Sequence, residues 1–360
     1  MKKKVFLMLF ISVFLLSCSD DEDGSSTYAG PGSKWSLSVT GSEYTFSMED
    51  GSNSMTINAT SENLSTGHKK ITVSSATASG LTPPNPGDVA HAIEVSGTAF
   101  LLHPFEAGAE TIAMISAGTC PSTNFTANWV IGGRATAAAT KITDNNGDWF
   151  GSISWNTSTG QASFPVYRSV EDPTNVFNDG NTNSIGTCSA GKVENLPSVD
   201  AYFTASGLVI VSTNVGTNDE SHIIGIPQST ISANADAYGD YAGFIFDQEN
   251  SATYPVTASV GAGVGSVGDI SMQVRTGADL SGTGTTYTIR LNNLNSPANG
   301  MIRGQFNSCT GGSVSNHDGT CEAVCVLSEN VNSSGKDFLY CIGQHPSDED
   351  DRMTILLVEK

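Results

Sequence analysis

The chain has 360 residues and a formal net charge of −20, from 16 basic and 36 acidic residues. This length suffices for one large domain or two of ordinary size. Nucleic acids and anionic lipids are bound by clustered Lys and Arg, so the acidic balance excludes nucleic acid as a partner and disfavours adhesion to anionic lipid. Charged residues make up 14% of the chain, and 38 residues are glycine. This composition favours β-strands joined by many turns over long surface helices.

Residues 1–17 have the pattern of a secretory signal peptide. Lys2, Lys3 and Lys4 precede an apolar run at residues 5–16, as the charged and hydrophobic regions of such signals do. The run is shorter than the roughly 20 apolar residues that a spanning helix needs. We therefore expect export and cleavage.

Residues 15–18 have the sequence Leu-Leu-Ser-Cys, and after Ser19 an acidic string follows at residues 20–23. The motif at residues 15–18 resembles the lipobox of bacterial lipoproteins. The resemblance implies that Cys18 becomes the N-terminus and carries lipid, and two or three acyl chains make a stable anchor. Ser19 after the cysteine is similar to an outer-membrane address, and the acidic string is similar to the surface-export tether of Bacteroidetes lipoproteins. The expected location is the outer membrane, at its periplasmic face or at the cell surface.

The sequence predicts a tether followed by a folded body. Residues 18–34 are acidic and then rich in Gly, Ser and Pro without an apolar pattern, which is typical of a disordered linker. Residues 35–360 form the predicted body, with possible subunits at 35–120, 121–230 and 231–360.

Alternating apolar and polar residues predict many β-strands, each with one buried face. No stretch of twelve residues has a convincing helical period. The predicted fold class is all-β. The clearest strand patterns lie at residues 35–39, 44–48, 55–57, 71–73, 270–274 and 287–291.

Two internal repeats suggest diverged copies of a unit of antiparallel hairpins, about a hundred residues long. The first repeat is a Gly-rich aromatic hairpin that starts at Gly147 and returns at Gly239. The second starts with Ser-Gly, followed by an apolar strand, an acidic turn and another apolar strand, and its copies begin at Ser96, Ser206 and Ser334.

The repeats predict a β-barrel architecture. The first hairpin, Gly-x-Trp-x-Gly at residues 147–151, is similar to the opening strand of lipocalin-like barrels. A large barrel or tandem barrels rank first because closure removes exposed sheet edges. A propeller-like or sandwich arrangement is the alternative.

Besides Cys18, the chain has six cysteines, an even number that predicts disulfides in an exported protein. Six cysteines allow 15 connectivities, and chain spacing favours one long-range pair with the last four pairing locally. A zinc site with His317 is the alternative for the last cluster, although its spacing lacks paired short knuckles. The candidates are Cys120, Cys188, Cys309, Cys321, Cys325 and Cys341.

Sequences that mimic catalytic motifs lack the required context. Residues 186–193 have P-loop spacing without the Ser or Thr that binds magnesium, and residues 263–268 match a dinucleotide fingerprint without a following helix,. The histidines are scattered singly, with no metalloprotease or hydrolase motif around them. No catalytic residue and no cofactor is predicted.

Aromatic residues of the first repeat are the ligand candidates. Trp149, Trp155, Tyr241 and Phe244 either line a ligand cavity or sugar-stacking surface or, as is commoner, pack the core. Asp144 and Asp148 are weak calcium candidates, because Asn-Gly-Asp is also ordinary hairpin chemistry,.

The predicted function is a membrane-anchored binding or interaction module without catalysis. Its partner is a protein, a polysaccharide or a small ligand. The first alternative is a barrel that carries a small hydrophobic ligand, and a hydrolase with a non-local site ranks third. A cavity lined by Trp149 and Tyr241 favours the carrier, whereas a filled interior favours the interaction module.

Overall fold

The computed structural model describes residues 25–30, 34–103, 111–116, 119–134, 149–159, 161–170, 187–194, 199–204, 207–213, 221–247, 250, 252–263, 266–309, 321–329, 335–347 and 352–360. Within these ranges lie 24 β-strands in three eight-stranded sheets and one 3-10 turn, Asn234–Ala237. The predicted signal peptide and Cys18 lie outside the described residues.

The first sheet is a closed barrel, termed the first barrel. Consecutive strands pair antiparallel, and β1 also pairs with β8, through Ala29 and Ile115. Its strands are β1 (Ser25–Ala29), β2 (Trp35–Thr40), β3 (Glu43–Asp50), β4 (Asn53–Asn63), β5 (Lys69–Ser79), β6 (Val89–Val95), β7 (Ala99–His103) and β8 (Ile112–Ile115).

The second sheet, termed the middle sheet, has the strand order of a barrel that is open at one place. Its strands are β9 (Phe125–Arg134), β10 (Trp149–Asn156), β11 (Gln161–Ser169), β12 (Thr187–Ser189), β13 (Lys192–Glu194), β14 (Val199–Phe203), β15 (Val209–Thr213) and β16 (Ser221–Pro227). The first strand, β9, pairs with the last, β16, as in a closed barrel, and β11 and β12 are the two outer strands. The gap between β11 and β12 is termed the open seam.

The third sheet is again a closed barrel, termed the third barrel, in which β17 pairs with β24. Its strands are β17 (Gly239–Asp247), β18 (Ala252–Gly261), β19 (Gly268–Thr276), β20 (Gly282–Leu294), β21 (Met301–Phe306), β22 (Glu322–Ser328), β23 (Phe338–Gln344) and β24 (Arg352–Glu359). The all-β prediction is confirmed. The architecture is the tandem-barrel one, neither a propeller nor a sandwich.

Strand β1 corrects the predicted extent of the tether. Residues Ser25–Ala29 pair with β2 along their whole length, and Tyr28 is buried inside the first barrel. One buried aromatic among Ser and Thr is too weak a pattern to indicate a strand. The first barrel therefore begins at Ser25 and not at residue 35.

Burial on one face or on two explains the different strand sequences. In β2, Leu37 and Val39 are buried while Ser36 and Ser38 are exposed, because the outer face meets solvent. Strand β23 is buried at all its positions and reads as an apolar run, as expected when both faces are covered.

Three apolar clusters account for this difference. One fills the first barrel and another fills the third barrel. The third cluster joins residues of the middle sheet to outer faces of both barrels, including Leu101 and Ile115 of the first barrel and Tyr340 and Leu356 of the third. The middle sheet thus packs against both barrels.

The second sequence repeat occupies equivalent positions in all three sheets. Its copies are the final hairpins β7–β8, β15–β16 and β23–β24. Gly97, Gly207 and Gly335 open them with φ of +65°, +85° and +71°, in the left-handed region that glycine adopts without strain. A backbone requirement therefore explains the glycine of the Ser-Gly signature.

The first repeat corresponds to two real hairpins that are not equivalent. The hairpin β10–β11 contains the second and third strands of the middle sheet, whereas β17–β18 contains the first and second strands of the third barrel. The shared Gly-aromatic pattern is therefore a local hairpin sequence and does not mark the repeat unit.

Candidate functional site

The disulfides follow the spacing of the cysteines in the chain. Cys120 is bonded to Cys188, Cys309 to Cys321, and Cys325 to Cys341. Both Cys321 and Cys325 are therefore engaged in disulfides instead of being free thiolates for zinc. His317, the histidine of that alternative, lies outside the described residues, among which no group of three His, Cys, Asp or Glu side chains is placed to hold a metal ion.

The disulfide between Cys120 and Cys188 forms one wall of a pocket of about 300 Å³, termed the seam pocket. Cys188 belongs to β12, on one side of the open seam, and Trp155 is the penultimate residue of β10, which pairs with β11 on the other side. The pocket therefore lies where the two sides of the open seam approach each other. Its lining consists of Cys120, Pro121, Trp155, Thr157, Ser158, Thr159 and Cys188.

Two asparagine side chains fix the hydroxyl-bearing turn at the pocket rim. Asn124 Oδ1 accepts hydrogen bonds from the backbone N–H and the Oγ1 of Thr157, at 2.9 and 3.0 Å. Asn156 Oδ1 accepts hydrogen bonds from the N–H and Oγ of Ser158, at 3.0 and 2.7 Å. This self-bonded turn orders the rim without a ligand.

Trp155 is a core residue that also lines this pocket. It is 4% exposed, and its ring centroid lies 5.0 Å from that of Phe203. No lining side chain carries a charge, so the chemistry of the pocket suits a small neutral group. Its volume is at the lower end of the range for ligand pockets.

The other predicted ligand residues do not share one surface. Tyr241 is fully buried inside the third barrel, and its hydroxyl donates to the carbonyl of Ala237 at 3.1 Å. Phe244 lies on the outer face of the same strand and contacts the first barrel, so it does not line the interior of the third barrel. The side chain of Trp149, together with Asp144 and Asp148, lies outside the described part of the chain.

Large side chains fill the barrel interiors. The first barrel contains Tyr44, Phe46 and Phe100, each at most 1% exposed. The third contains Tyr241 and Met272, both fully buried. Eight-stranded barrels have interiors that side chains can fill completely, and these two follow that pattern.

Glu94 organises a polar network inside the first barrel that has no local sequence signature. Tyr28 donates to its Oε1 at 2.8 Å and Tyr44 to its Oε2 at 2.6 Å, while Lys69 Nζ lies 3.3 Å from Oε2. Burial, reinforced by the carboxylate of Glu94, raises the pKa of both tyrosines. Both hydroxyls therefore stay protonated and act as donors.

A second group of polar residues, termed the histidine cluster, joins the first and third barrels. It consists of His68 and His103, whose rings contact that of Phe244, and of His91, which stacks on His103. The three histidines are distant in sequence, so their proximity follows from the barrel topology and from no spacing motif.

His345 lies apart from this cluster, beside a buried carboxylate. Its Nε2 is 3.6 Å from Asp247 Oδ2, and its Nδ1 accepts the backbone N–H of Ser347 at 3.1 Å. Burial alone would raise the pKa of Asp247, but hydrogen bonds from His345 and Asn250 outweigh burial and lower it. Both imidazole nitrogens have protein neighbours, so this pair has the geometry of a structural contact.

No family model matches the sequence, and no curated protein matches it. Among solved structures, transferrin binding protein B of serogroup B Neisseria meningitidis is 12% identical, with a TM-score of 0.27, over 91% of this chain and 65% of that chain. A variant of the same protein from Haemophilus parasuis is 9% identical, with a TM-score of 0.23 and the same coverage. A DUF3598 protein of unknown function from Nostoc punctiforme is 10% identical, with a TM-score of 0.23, over 93% of this chain and 95% of that chain.

These similarities are too low to carry an argument about function. The chain spans 65% of the length of the transferrin binding proteins. No helix among the described residues has the length and hydrophobicity required to cross a bilayer.

Proposed function

We propose that this protein is a lipid-anchored, extracytoplasmic binding module that recognises its partner with its surface and performs no catalysis. Three eight-stranded sheets provide a rigid support from which loops and turns contact a partner. The observation that supports the proposal is the packing of the two barrels, because the described residues of their interiors include many large, fully buried side chains.

Filled barrels weigh against the carrier alternative. A carrier needs apolar space inside a barrel, and Tyr241 was the residue expected to line it. Tyr241 belongs instead to the packed interior cluster that includes Ile245, Met272 and Met353. Recognition is therefore assigned to the outside. The seam pocket is the first candidate there, because it combines a fixed hydroxyl rim with an uncharged lining.

The anchor in this proposal rests on Cys18 and its resemblance to the lipobox cysteine. Two or three acyl chains hold a protein on a membrane stably, and one does not. Replacement of Cys18 by Ser is expected to abolish labelling by radioactive palmitate and to move the protein from the membrane to the soluble exported fraction. Persistent membrane attachment of the C18S variant contradicts lipid anchoring.

The binding proposal is tested by extraction of the exported C18S protein with organic solvent, followed by mass spectrometry of the extract. Without the anchor lipid, the extract is expected to contain no apolar molecule in stoichiometric amount. One apolar molecule per chain, released only on unfolding, makes the carrier the correct function.

A further inference from the structure

The histidine cluster forms the polar part of the contact between the first and third barrels. His68 belongs to the turn before β5, and its Nε2–H donates to the carbonyl of Gly243 in β17 at 3.0 Å. His91, on β6, donates from Nε2 to the carbonyl of Ala278 at 2.9 Å. A carbonyl only accepts hydrogen bonds, so both bonds require a proton on Nε2, which neutral imidazole provides.

Aromatic contacts complete this arrangement. The ring of Phe244 lies edge-on to His68, with centroids 5.4 Å apart, and 6.0 Å from the ring of His103. His103 and His91 are stacked with centroids 6.3 Å apart. Phe244 is therefore held between two imidazoles of the first barrel.

Burial makes a charge on these histidines unfavourable. His68 is 1% exposed and His91 is 8% exposed, and His103 Nδ1 is buried without a hydrogen-bond partner in the described part of the chain. An imidazolium there loses its hydration, and two imidazoliums repel each other at these separations.

The charges that face the cluster are mostly positive. Lys360 and Arg275 of the third barrel disfavour protonation of His68, and Lys70 of the first barrel disfavours protonation of His91. Asp279 opposes this effect at His91, but it is largely exposed and already paired with Lys70 at 2.7 Å. Glu62, also exposed, lies 4.0 Å from Lys70.

We propose that the contact between the first and third barrels is an acid-sensitive latch, closed while His68, His91 and His103 are neutral and opened by their protonation. Opening separates Phe244 from the imidazoles and exposes this part of β17. The first barrel stays attached to the middle sheet through the apolar cluster that includes Ile93, Leu101 and Ile115. The latch adds regulation to the molecule and does not depend on which ligand the seam pocket takes.

The pKa values agree with this geometry. Burial lowers the pKa of His68 to about 4, against the hydrogen bond to Gly243, with smaller contributions from His91, Lys360 and Arg275. Burial and then the charge on His91 lower the pKa of His103 to about 4. Burial also lowers the pKa of His91. The contact is therefore fully closed near neutral pH and opens as the pH falls towards 4.

The test is a distance measurement between nitroxide labels on the full chain. The labels are attached at S38C, on the exposed face of β2, and at S271C, on the exposed face of β19. Pulsed electron resonance is recorded at pH 7.5 and pH 4.5, with circular dichroism to verify that the strands persist. We expect a narrow distance distribution at pH 7.5 that shifts to longer distances at pH 4.5.

Matched variants assign the change to the cluster. The triple variant H68Q/H91Q/H103Q keeps N–H donors and stays neutral, so its distance is expected not to change with pH. H345Q, which changes a histidine paired with Asp247 inside the third barrel, is expected to retain the full response. An unchanged wild-type distance at pH 4.5, or a triple variant that responds like the wild type, overturns the latch.

A second measurement covers the case in which the triple variant does not fold. The imidazole signals of wild-type His68, His91 and His103 are titrated by NMR and compared with the pH dependence of the label distance. Coincident midpoints below the ordinary value of 6.5 support the latch. Protonation of all three imidazoles without a change in distance overturns it.

Discussion

Glu94 shows how one side chain is fixed by groups from distant strands. Its two carboxylate oxygens accept hydrogen bonds from Tyr28 of β1 and Tyr44 of β3, and Lys69 of β5 lies beside it. The side chain is 8% exposed, so water does not replace a lost partner freely. Buried polar groups without partners cost more free energy than their hydrogen bonds contribute when made.

We predict that E94A lowers the free energy of unfolding by roughly 3 kcal/mol, since two buried hydroxyls lose a charged acceptor. Urea denaturation measures the change. E43A is the control, because Glu43 is exposed on the same barrel, and its effect is expected to stay within about 0.5 kcal/mol. Equal effects of the two substitutions contradict the role assigned to Glu94.

The positions of two aromatic side chains in β17 could be predicted from the sequence. Tyr241 and Phe244 are three residues apart in one strand, and side chains an odd number apart point to opposite faces. Their separation into barrel interior and outer face was therefore predictable. By contrast, nothing local to His91 or His103 indicates that they lie side by side, because the pairing of β6 with β7 brings them together.

Strand β17 is the element that closes the third barrel and contacts the first. Gly243 lies in its middle, and a Cβ there would collide with the backbone carbonyl of Leu356 in β24. Glycine therefore allows the close approach of the first and last strands at the position where β17 also offers its carbonyl to His68.

We predict that G243A destabilises the protein by about 1–3 kcal/mol, because the two strands must move apart to admit the methyl group. The matched control is G261A in the neighbouring strand β18, where a Cβ meets no atom within 4 Å. Thermal unfolding of both variants distinguishes them. A G243A protein as stable as G261A contradicts the close approach of β17 and β24.

The sequence indicates strands that are buried on one face more clearly than strands that are buried on both. One-sided strands such as β2 and β19 have clear alternation, and the final hairpins were recognised through their Ser-Gly turns. Strands buried on both faces, such as β23, lack that alternation. In β1 only Tyr28 is buried, so its pattern is too weak to indicate a strand. The open seam depends on which distant strands fail to pair, a property of the whole sheet that no local pattern records.

At the scale of the whole molecule, the sheets share apolar contacts while the interface of the two barrels contains titratable groups. Folding lowers the pKa of His68 and His103 from 6.5 to about 4, so the native state disfavours their protonation. The stability that neutral imidazoles provide is complete above pH 6.5 and is lost as the pH falls from 6.5 towards 4.

We predict a decrease in the free energy of unfolding over this window on the order of 3 kcal/mol or more, since each unit of pKa shift corresponds to about 1.4 kcal/mol. Urea titrations at a series of pH values between 7.5 and 4.5 measure it. The double variant H68Q/H103Q is expected to flatten the profile. A wild-type profile that is flat down to pH 4.5 is incompatible with neutral buried imidazoles.

Asp247 does not contribute to the loss of stability between pH 6.5 and pH 4. Its pKa is lowered, so its stabilising contribution is present above its unfolded value of 3.8 and is lost only below it,. The loss of stability on protonation of His68 and His103 and the loss on protonation of Asp247 are therefore separated in pH.

In the proposed function, binding takes place at the surface, at the seam pocket, and not inside a barrel. Its most direct test is native mass spectrometry of the full, lipidated protein purified from membranes, together with S158W at the pocket rim and S271W on the third barrel. We predict a non-covalent adduct on the wild type and S271W that is lost from S158W. An adduct that persists on S158W, or that is released only when the barrels unfold, contradicts the claim.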